Sequence, residues 1–369
     1  MKTHCTARLV LVILTLISVH QAKAQYYNNP ESAAFDELRN CWYVSNYGDG
    51  KIIRVDTSGA QTVFSDTLGR VAGLLIVDDV LYAASNDTPF IGTMGFDLDT
   101  RQLVRNIQIP VDGMVNDITT DGYGFLYVTD FYDNKIYRVN LATDEVWIFV
   151  SSGLPMPNGI VYDPALDRLF VSCQNASGRP IKIVDLADSS VSIGVYTNLG
   201  GVDGLALDNE NRLYFSAWQT DAIYRYGLGL SGSAELVSSG HLDPADIAIN
   251  LRDNVLAVPN YTRNTVDFVS LAPDAVDETP IPTLTGLSQC YPNPFNSRAV
   301  IEYSLNTPGE VRIDVFDALG RLHETLIRET QTPGRHRLIW SAASHPSGTY
   351  FYRIMTGDRV ETRKIVLLK

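Results

Sequence analysis

Oxygen-bearing side chains recur at a regular interval in the first two thirds of this chain. Carboxylates stand at Glu31 and Asp203 and carboxamides at Asn116 and Asn158, at positions of a repeat of 42–45 residues. Hard cations such as Ca²⁺ take roughly six to eight oxygen ligands from carboxylates, amide carbonyls and water. Glu31, Asn158 and Asp203, completed by water, would therefore form a divalent-cation site, with Ca²⁺ as the expected ion. No histidine occupies an equivalent position, which disfavours a zinc site.

A second interpretation of the same residues is purely structural. Asn158 and Asp203 are each followed by glycine. Asn-Gly and Asp-Gly are common turn formers, because these residues tolerate a positive φ and Asn and Asp bond to their own backbone. The two interpretations differ in whether the repeat brings the side chains to one place.

The repeat predicts a closed ring of β-sheets. An Asp or Asn marks each unit, and an aromatic or small residue follows it inside a short apolar run. Runs rich in Val, Ile, Tyr and Phe, split by Asp, Asn and Gly, predict four strands per unit. Four-stranded repeats of about 40–45 residues are typical of propeller blades. The six marker residues are Asp36, Asp78, Asp121, Asp163, Asp208 and Asn250.

The expected fold class is therefore all-β, with a six-bladed β-propeller over residues 25–271. No unit resembles the polar cap that a solenoid needs, which favours ring closure. The first strand of a blade lines the central axis, so the residue that begins it is expected at the channel mouth. Counting five residues back from each marker predicts a ring of Glu31, Gly73, Asn116, Asn158, Asp203 and Ala245.

The two ends of the chain predict export and a second domain. Lys2 and Arg8 precede an apolar run, and Ala22-Lys23-Ala24 places small residues before Gln25, which predicts a signal peptide over residues 1–24. Residues 272–289 have the Pro, Thr and acidic composition of a linker. Residues 290–369 alternate apolar and polar side chains, which predicts an immunoglobulin-like β-sandwich.

Charge and cysteine content exclude several function classes. Residues 25–289 carry 15 basic and 34 acidic side chains, which disfavours nucleic-acid binding. No segment after the signal peptide is apolar enough to span a bilayer. Cys41, Cys173 and Cys290 show no metal-binding spacing. They are expected to be buried free thiols, with a single disulfide as the alternative.

The propeller body resembles NHL-type propellers, and more specifically the senescence-marker-protein/gluconolactonase family, through "PESAAFDE", "MPNGIVYDP" and "GVDGLALDNENRLYFSA". The resemblance implies metal ligands at Glu31, Asn158 and Asp203 and a substrate-binding amide at Asn116. It also implies lactone hydrolysis, in which the ion polarises the carbonyl and Asp203 takes a proton from water. Two features depart from the family. "PES" stands in place of "EGP", and Met114 replaces a substrate-binding arginine, which weakens the case for a sugar-acid substrate.

The C-terminal segment resembles the sorting domain of the type nine secretion system. The motifs that carry the resemblance are "YPNPFN", "VFDALGR", "GRHRLIW", "SGTYFYRI" and "TRKIVLLK". It implies passage across the outer membrane and a final location at the cell surface or in the medium, with the secretion machinery as partner.

Two functions are consistent with these features. The first is a secreted, cation-binding propeller that hydrolyses a lactone or ester, with a small-molecule or glycan ligand at the channel mouth. The alternative is a non-catalytic surface propeller that binds a glycan, peptide or protein, in which any cation is structural.

Overall fold

The computed structural model describes residues 20–21, 26–87, 90–111, 113–230, 232–271, 290, 293–296, 298–305, 309–331, 334–342, 344–356 and 359–369. Strands dominate these residues and are numbered β1–β30 in chain order. The predicted linker, residues 272–289, lies outside the described residues. The predicted signal peptide does too, apart from its residues 20–21.

Five four-stranded antiparallel sheets follow one another along the chain, each with its strands in sequence order. Blade one contains β2 (Pro30–Asp36), β3 (Cys41–Asn46), β4 (Ile52–Asp56) and β5 (Gln61–Ser65); blade two contains β6 (Val71–Val77), β7 (Val80–Asp87), β8 (Phe90–Asp97) and β9 (Leu103–Gln108); blade three contains β10 (Val115–Thr120), β11 (Phe125–Asp130), β12 (Lys135–Asn140) and β13 (Val146–Val150). Blade four contains β14 (Pro157–Asp163), β15 (Arg168–Cys173), β16 (Pro180–Asp185) and β17 (Val191–Tyr196); blade five contains β18 (Val202–Leu207), β19 (Leu213–Ala217), β20 (Ala222–Tyr226) and β21 (Glu235–Ser239).

The sixth blade closes the ring with a strand from the other end of the chain. It contains β22 (Ala248–Asn250), β23 (Val255–Asn260) and β24 (Thr265–Ser270), and β1 (His20–Gln21) pairs with β24 as the outer strand. Because β1 lies in the predicted signal peptide, cleavage before Gln25 would leave this blade with three strands. Ring closure has a second support, since the backbone N–H of Asp246 donates to the carbonyl of Glu31 at 2.8 Å.

Six hydrophobic clusters hold the blades together, one for each pair of neighbours. The cluster between blades six and one contains Val266 and Ala257 from blade six and Trp42 and Val44 from blade one. The other five clusters repeat this arrangement around the disc. The predicted six-bladed propeller is confirmed, and its apolar cores lie between the sheets, because each sheet buries both of its faces.

A register shift that recurs in the blades identifies equivalent residues more reliably than the acidic markers do. The pairing of the first and second strands shifts register close to the start of the first strand, between Pro30 and Ala33 in blade one and between Val71 and Leu74 in blade two. On this alignment the blade-two equivalent of Glu31 is Ala72, so the prediction of Gly73 was wrong by one residue.

The error has a local cause in the first hairpin of blade two. Val77 pairs with Val80, which leaves a two-residue turn, whereas Asp36 of blade one pairs with Cys41 across four residues. The short turn moves Asp78 one place along the strand relative to the other markers.

Hydroxyl groups on the second strands connect neighbouring blades at the axis. In four blades this hydroxyl donates to the carbonyl of the residue that is equivalent to Glu31 in the next blade. The bonds are Ser45 to Ala72 at 2.6 Å, Thr129 to Asn158 at 2.9 Å, Ser172 to Asp203 at 2.8 Å and Ser216 to Ala245 at 2.8 Å. The recurring Ser or Thr two residues after the aromatic marker is the sequence signal for this contact.

The glycines of the "NG" and "DG" pairs lie inside strands rather than in turns. A Cβ at Gly159 would lie 2.3 Å from the carbonyl oxygen of Asp203, and a Cβ at Gly204 would lie 2.4 Å from the Cα of Asp246. At these two interfaces, between blades four and five and between blades five and six, the first strands therefore meet backbone to backbone, which only glycine permits. The turn interpretation of Asn158 and Asp203 is wrong, because β14 and β18 contain them.

The C-terminal residues form two packed sheets. β25 (Arg298–Leu305) pairs with β28 (Gly334–Ser341), and β26 (Gly309–Asp317), β27 (Leu322–Gln331), β29 (Gly348–Thr356) and β30 (Arg359–Leu367) form a sheet in the order β27-β26-β29-β30. Both sheets contribute to one core around Trp340 and Tyr352. The three cysteines, one of them in this core, are buried and free, as expected.

Removing the hydroxyl of Thr129 is expected to destabilise the ring. It accepts from the N–H of Asp117 and donates to the carbonyl of Asn158, both at 2.9 Å. Thr129→Val keeps the shape but leaves two buried backbone groups unpaired, which costs about 1–3 kcal/mol. Urea unfolding of the full chain measures the loss. Thr62→Val, on the exposed side of β5, is the matched control, and an equal change in both variants would contradict the proposed role of the hydroxyl.

Candidate functional site

The four predicted site residues, three metal ligands and the substrate-binding Asn116, lie in equivalent positions at the start of the first strands. Glu31, Asn116, Asn158 and Asp203 follow the first paired residue of β2, β10, β14 and β18, and each is at least 93% buried. The positions between them are occupied by Ala72 and Ala245, so the ring is polar on four sides.

The carboxyl groups of this ring influence one another across the axis. Burial raises the pKa of Glu31 well above its usual range, and repulsion from Asp203 and Asp117 raises it further. Burial likewise raises the pKa of Asp203 to about 7, with the side chains of Trp218 and Asn158 opposing the rise. Glu31 and Asp203 are 172 residues apart in the sequence, and ring closure brings their charges within reach of each other.

A second layer of carboxylates lies one residue further along the chain from two of the ring positions. Asp117 follows Asn116, and Asp246 follows Ala245. Burial raises the pKa of Asp117 to about 7, and burial with repulsion from Asp117, Asp203 and Glu31 raises that of Asp246 well above its usual range. The sequence analysis missed both residues. Extending the blade alignment by one position would have found them.

The two new carboxylates are already committed to structural contacts. Asp117 accepts the N–H of its neighbour Ile118 at 2.7 Å and that of Ile160, in blade four, at 2.8 Å. Asp246 accepts the hydroxyl of Ser32 at 2.5 Å, and the same hydroxyl oxygen accepts the N–H of Leu74 at 3.0 Å. These side chains join adjacent blades beneath the ring.

The ring itself has unused acceptors. Asn158 Oδ1 and Asp203 Oδ1 are buried and have no hydrogen-bond partner among the described residues. The indole N–H of Trp218 lies near enough to Asp203 to lower its pKa, yet it lacks hydrogen-bond geometry. Buried polar atoms without partners are uncommon in native proteins and mark places where a ligand, ion or water binds.

These features fit a divalent cation at the ring. Asn158 and Asp203 each have an unpartnered oxygen, and the charge of Asp203 acts on the carboxyl of Glu31. None of the pKa shifts of these carboxyls arises from a Lys or Arg. Carboxylate and amide oxygens are the donors that Ca²⁺ prefers. Among the described residues there is no group of three or more His, Cys, Asp or Glu side chains positioned to hold a metal ion, so a cation at the ring would need the amide oxygen of Asn158 in addition to the carboxylates.

A Ser–His–Asp hydrogen-bond chain lies elsewhere, between blades five and six. Ser238 Oγ is 3.0 Å from His241 Nε2, and His241 Nδ1 is 2.8 Å from Asp267 Oδ2, in the order of a nucleophile, base and orienting acid. The backbone N–H groups of Gly240 and His241 both donate to the carbonyl of Asp221 at 3.1 Å. These nearby donors are therefore not available to stabilise an oxyanion, and we assign the chain to blade packing.

A cavity of about 280 Å³ lies on the opposite side of the disc, against Arg168, Phe170 and Leu213. It adjoins Asp163, which ends β14, whereas Asn158 lies at the start of that strand. Arg168 Nε is 2.9 Å from the Asp163 carboxylate. The charged groups of this cavity are thus already paired with each other, and those of the ring are not.

Comparison with known proteins supports the two-part organisation. Residues 289–368 match the family described as the secretion system C-terminal sorting domain. The protein is therefore exported, to the cell surface or into the medium, and the sorting domain implies interaction with the type nine secretion machinery. No curated protein matches the chain. In the described part of the chain, no helix is long and apolar enough to cross a membrane.

Solved structures share the propeller fold. A calcium-binding protein, regucalcin, from Agrobacterium tumefaciens is 17% identical, with 69% of this chain and 94% of that chain covered and a TM-score of 0.58. A chain of the nidogen/laminin complex is 20% identical over 60% of this chain and 87% of its own, with a TM-score of 0.54. An auxiliary nutrient binding protein from Bacteroides thetaiotaomicron is 12% identical over 66% and 69%, with a TM-score of 0.55. At these identities the likeness is one of fold.

The buried carboxyls are expected to make stability depend on pH when no cation is bound. Their folded pKa values lie above the unfolded values of about 4, so their contribution is complete below about pH 4 and is lost as pH rises through about 7. The melting temperature of the full chain in chelator should therefore fall between about pH 5.5 and 8.

Asp203→Asn should reduce this fall, because asparagine does not ionise. The exposed Asp188, changed to Asn, is the control and should leave the slope unchanged. A slope that is the same in all three proteins would show that the buried carboxyls are not its source.

Proposed function

We propose that the protein is a secreted propeller that binds a divalent cation, with Ca²⁺ expected, at Glu31, Asn158 and Asp203, and that this site hydrolyses a lactone or ester. The observation that carries the proposal is the pair of buried, unpartnered oxygens on Asn158 and Asp203, at ring positions equivalent to that of the buried Glu31. Burying such groups without a partner lowers the stability of the fold, so a cation that binds them would raise the free energy of unfolding.

Asp203 is the proposed general base. Burial raises the pKa of its carboxyl to about 7 when no cation is bound, and a bound cation would lower it, so the carboxylate form that accepts a proton predominates at neutral pH. The nearby side chains of Trp218 and Asn158 lower its pKa and so favour its charged form. A bound divalent cation supplies Lewis-acid polarisation of the substrate carbonyl. Asp203 accepts the proton of the attacking water and returns it to the leaving oxygen.

Asn116 is the proposed substrate-binding residue. Its side chain stands at the ring position of blade three, beside that of Asn158 in blade four. A carboxamide both donates and accepts hydrogen bonds, so it can hold a substrate hydroxyl without adding charge to an already acidic site.

The second candidate is a non-catalytic propeller that binds a glycan, peptide or protein at the cell surface. It is favoured by the absence, among the described residues, of three metal-ligating His, Cys, Asp or Glu side chains in one group. On this alternative the free oxygens of the ring accept hydrogen bonds from the ligand directly.

Calcium is expected to stabilise the full chain. A ligand present at about 100 times its Kd adds about 2.7 kcal/mol, because it binds only the folded state. The melting temperature should therefore rise by several degrees in Ca²⁺. Asp203→Ala and Asn158→Ala should abolish the rise, whereas the exposed Asp188→Ala should retain it. If the parent does not respond, or responds no more than Asp203→Ala, the cation site is refuted.

Hydrolysis is expected to need both the cation and Asp203. A panel of sugar lactones assayed with the full chain should show turnover that chelator removes and Ca²⁺ restores. Asp203→Asn should lower kcat by about 100-fold or more, as loss of a general base does. Asn116→Ala should act mainly on KM. Turnover that persists in chelator would contradict the mechanism, and no turnover by a protein that binds Ca²⁺ would favour the non-catalytic candidate.

A further inference from the structure

The marker aspartate of blade two makes a contact that the other markers do not make. Asp78 lies in a turn of only two residues, where its φ is 55°. Among the described residues of blade two, none donates a hydrogen bond to its carboxylate. In each of the other blades, the marker side chain accepts the N–H of a residue two or three positions further along its own hairpin. These markers are Asp36, Asp121, Asp163, Asp208 and Asn250.

The carboxylate of Asp78 bonds to the sorting domain instead. The backbone N–H of Asn296 donates to Asp78 Oδ1 at 3.2 Å. Pro294 reaches the next blade, because a Cβ at Gly122 would lie 4.0 Å from its Cδ, an ordinary van der Waals distance. Asp78 and Gly122 follow the first strands of blades two and three, on the side of the disc opposite the ring. Turns of two adjacent blades therefore contact one loop of the sorting domain.

This loop belongs to "YPNPFN", one of the motifs that carry the resemblance to a sorting domain. Phe295 is buried at its centre, with its ring 5.1 Å from that of Trp340. The N–H of Phe295 donates to the carbonyl of Val366, in β30, at 2.9 Å. Pro294 and Asn296, on either side of Phe295, are more exposed. The loop is therefore fixed to its own domain through Phe295, and its two flanking residues are free to contact the propeller.

The charges of the two domains favour the same contact. Residues 25–289 carry 15 basic and 34 acidic side chains, whereas residues 290–369 carry 11 basic and 8 acidic side chains. Domains of opposite net charge attract each other. Residues 272–289, a tether of 18 residues, also keep the sorting domain at a high effective concentration beside the propeller. A contact that involves few bonds is therefore enough to hold the domain.

We propose that the propeller is a docking partner of its own sorting domain, with Asp78 as the acceptor for the loop that contains Pro294 and Asn296. Docking holds the sorting domain at one side of the disc, so it sets the direction in which this domain faces the secretion machinery. The contact lies on the surface and involves no residue of the polar ring. The inference is therefore independent of the proposed function.

Paired nitroxide labels on the full chain test the docking. Thr57→Cys in the propeller and Leu319→Cys in the sorting domain place the labels at exposed positions, whereas the native thiols are buried. Double electron–electron resonance then measures the distance between the labels. The docked chain should give one narrow distribution. Loss of docking should widen it by about 20 Å, the r.m.s. span of a flexible tether of this length.

Substitutions at Asp78 identify the acceptor. Asp78→Gly tolerates the positive φ and removes the carboxylate, and Asp78→Lys adds a positive charge beside the N–H donor, so both should widen the distribution. Asp78→Asn keeps an acceptor oxygen and should leave it narrow. Asp188→Lys, at an exposed turn of blade four, is the matched control for charge and should also leave it narrow. A wide distribution in the parent, or a narrow one in Asp78→Gly or Asp78→Lys, would overturn the docking.

Discussion

The structure depends on the backbone contact between the first strands of adjacent blades. At Gly159 and Gly204 these strands approach so closely that a Cβ would overlap the next blade. Hydroxyls such as those of Thr129 and Ser172 then fix the spacing by bonding to the carbonyls of Asn158 and Asp203. The strands that carry Asn158, Asp203 and Ala245 lie close together because no side chain separates them at these points.

This close packing buries several carboxyl groups near the axis, where their ionisation is unfavourable. Four carboxyl groups, from Glu31, Asp117, Asp203 and Asp246, are buried together, and burial raises the pKa of each. Two of them, Asp117 and Asp246, are held by backbone N–H groups and a hydroxyl and join the blades. Glu31 and Asp203 have fewer such contacts. Asp117 and Asp246 therefore form a structural layer, whereas Glu31 and Asp203 keep oxygens that can bind a ligand, although all four side chains are carboxyl groups.

The surroundings of the ring narrow the kind of ligand that suits it. Acceptors lie at the centre, the rings of Tyr47, Trp218 and Tyr261 lie to one side, and the guanidinium of Arg70 lies over the Tyr47 ring. Export to the cell surface places this site in contact with molecules outside the cell. This combination of acceptors, aromatic faces and a positive charge suits a polar ligand better than a purely apolar one.

Local sequence determined the blade repeat and most of the ring. The period of the Asp markers and of the apolar runs placed Glu31, Asn116, Asn158 and Asp203 correctly, because turn residues and strand lengths are set by neighbouring residues. It also determined the sorting domain, whose motifs are local. In blade two the first turn is shorter, so counting back five residues from Asp78 gave Gly73 instead of Ala72 as the ring residue.

Only the tertiary structure showed which side chains and backbone groups the residues of the ring contact. Several contacts join separate blades or distant parts of the chain. They are the close approaches at Gly159 and Gly204, the second layer of Asp117 and Asp246, the pairing of β1 with β24 and the contact of Arg70 with Tyr47. A repeat encodes each blade from its own residues. The angle and distance between blades arise from six interfaces that must close together, and no single repeat contains that information.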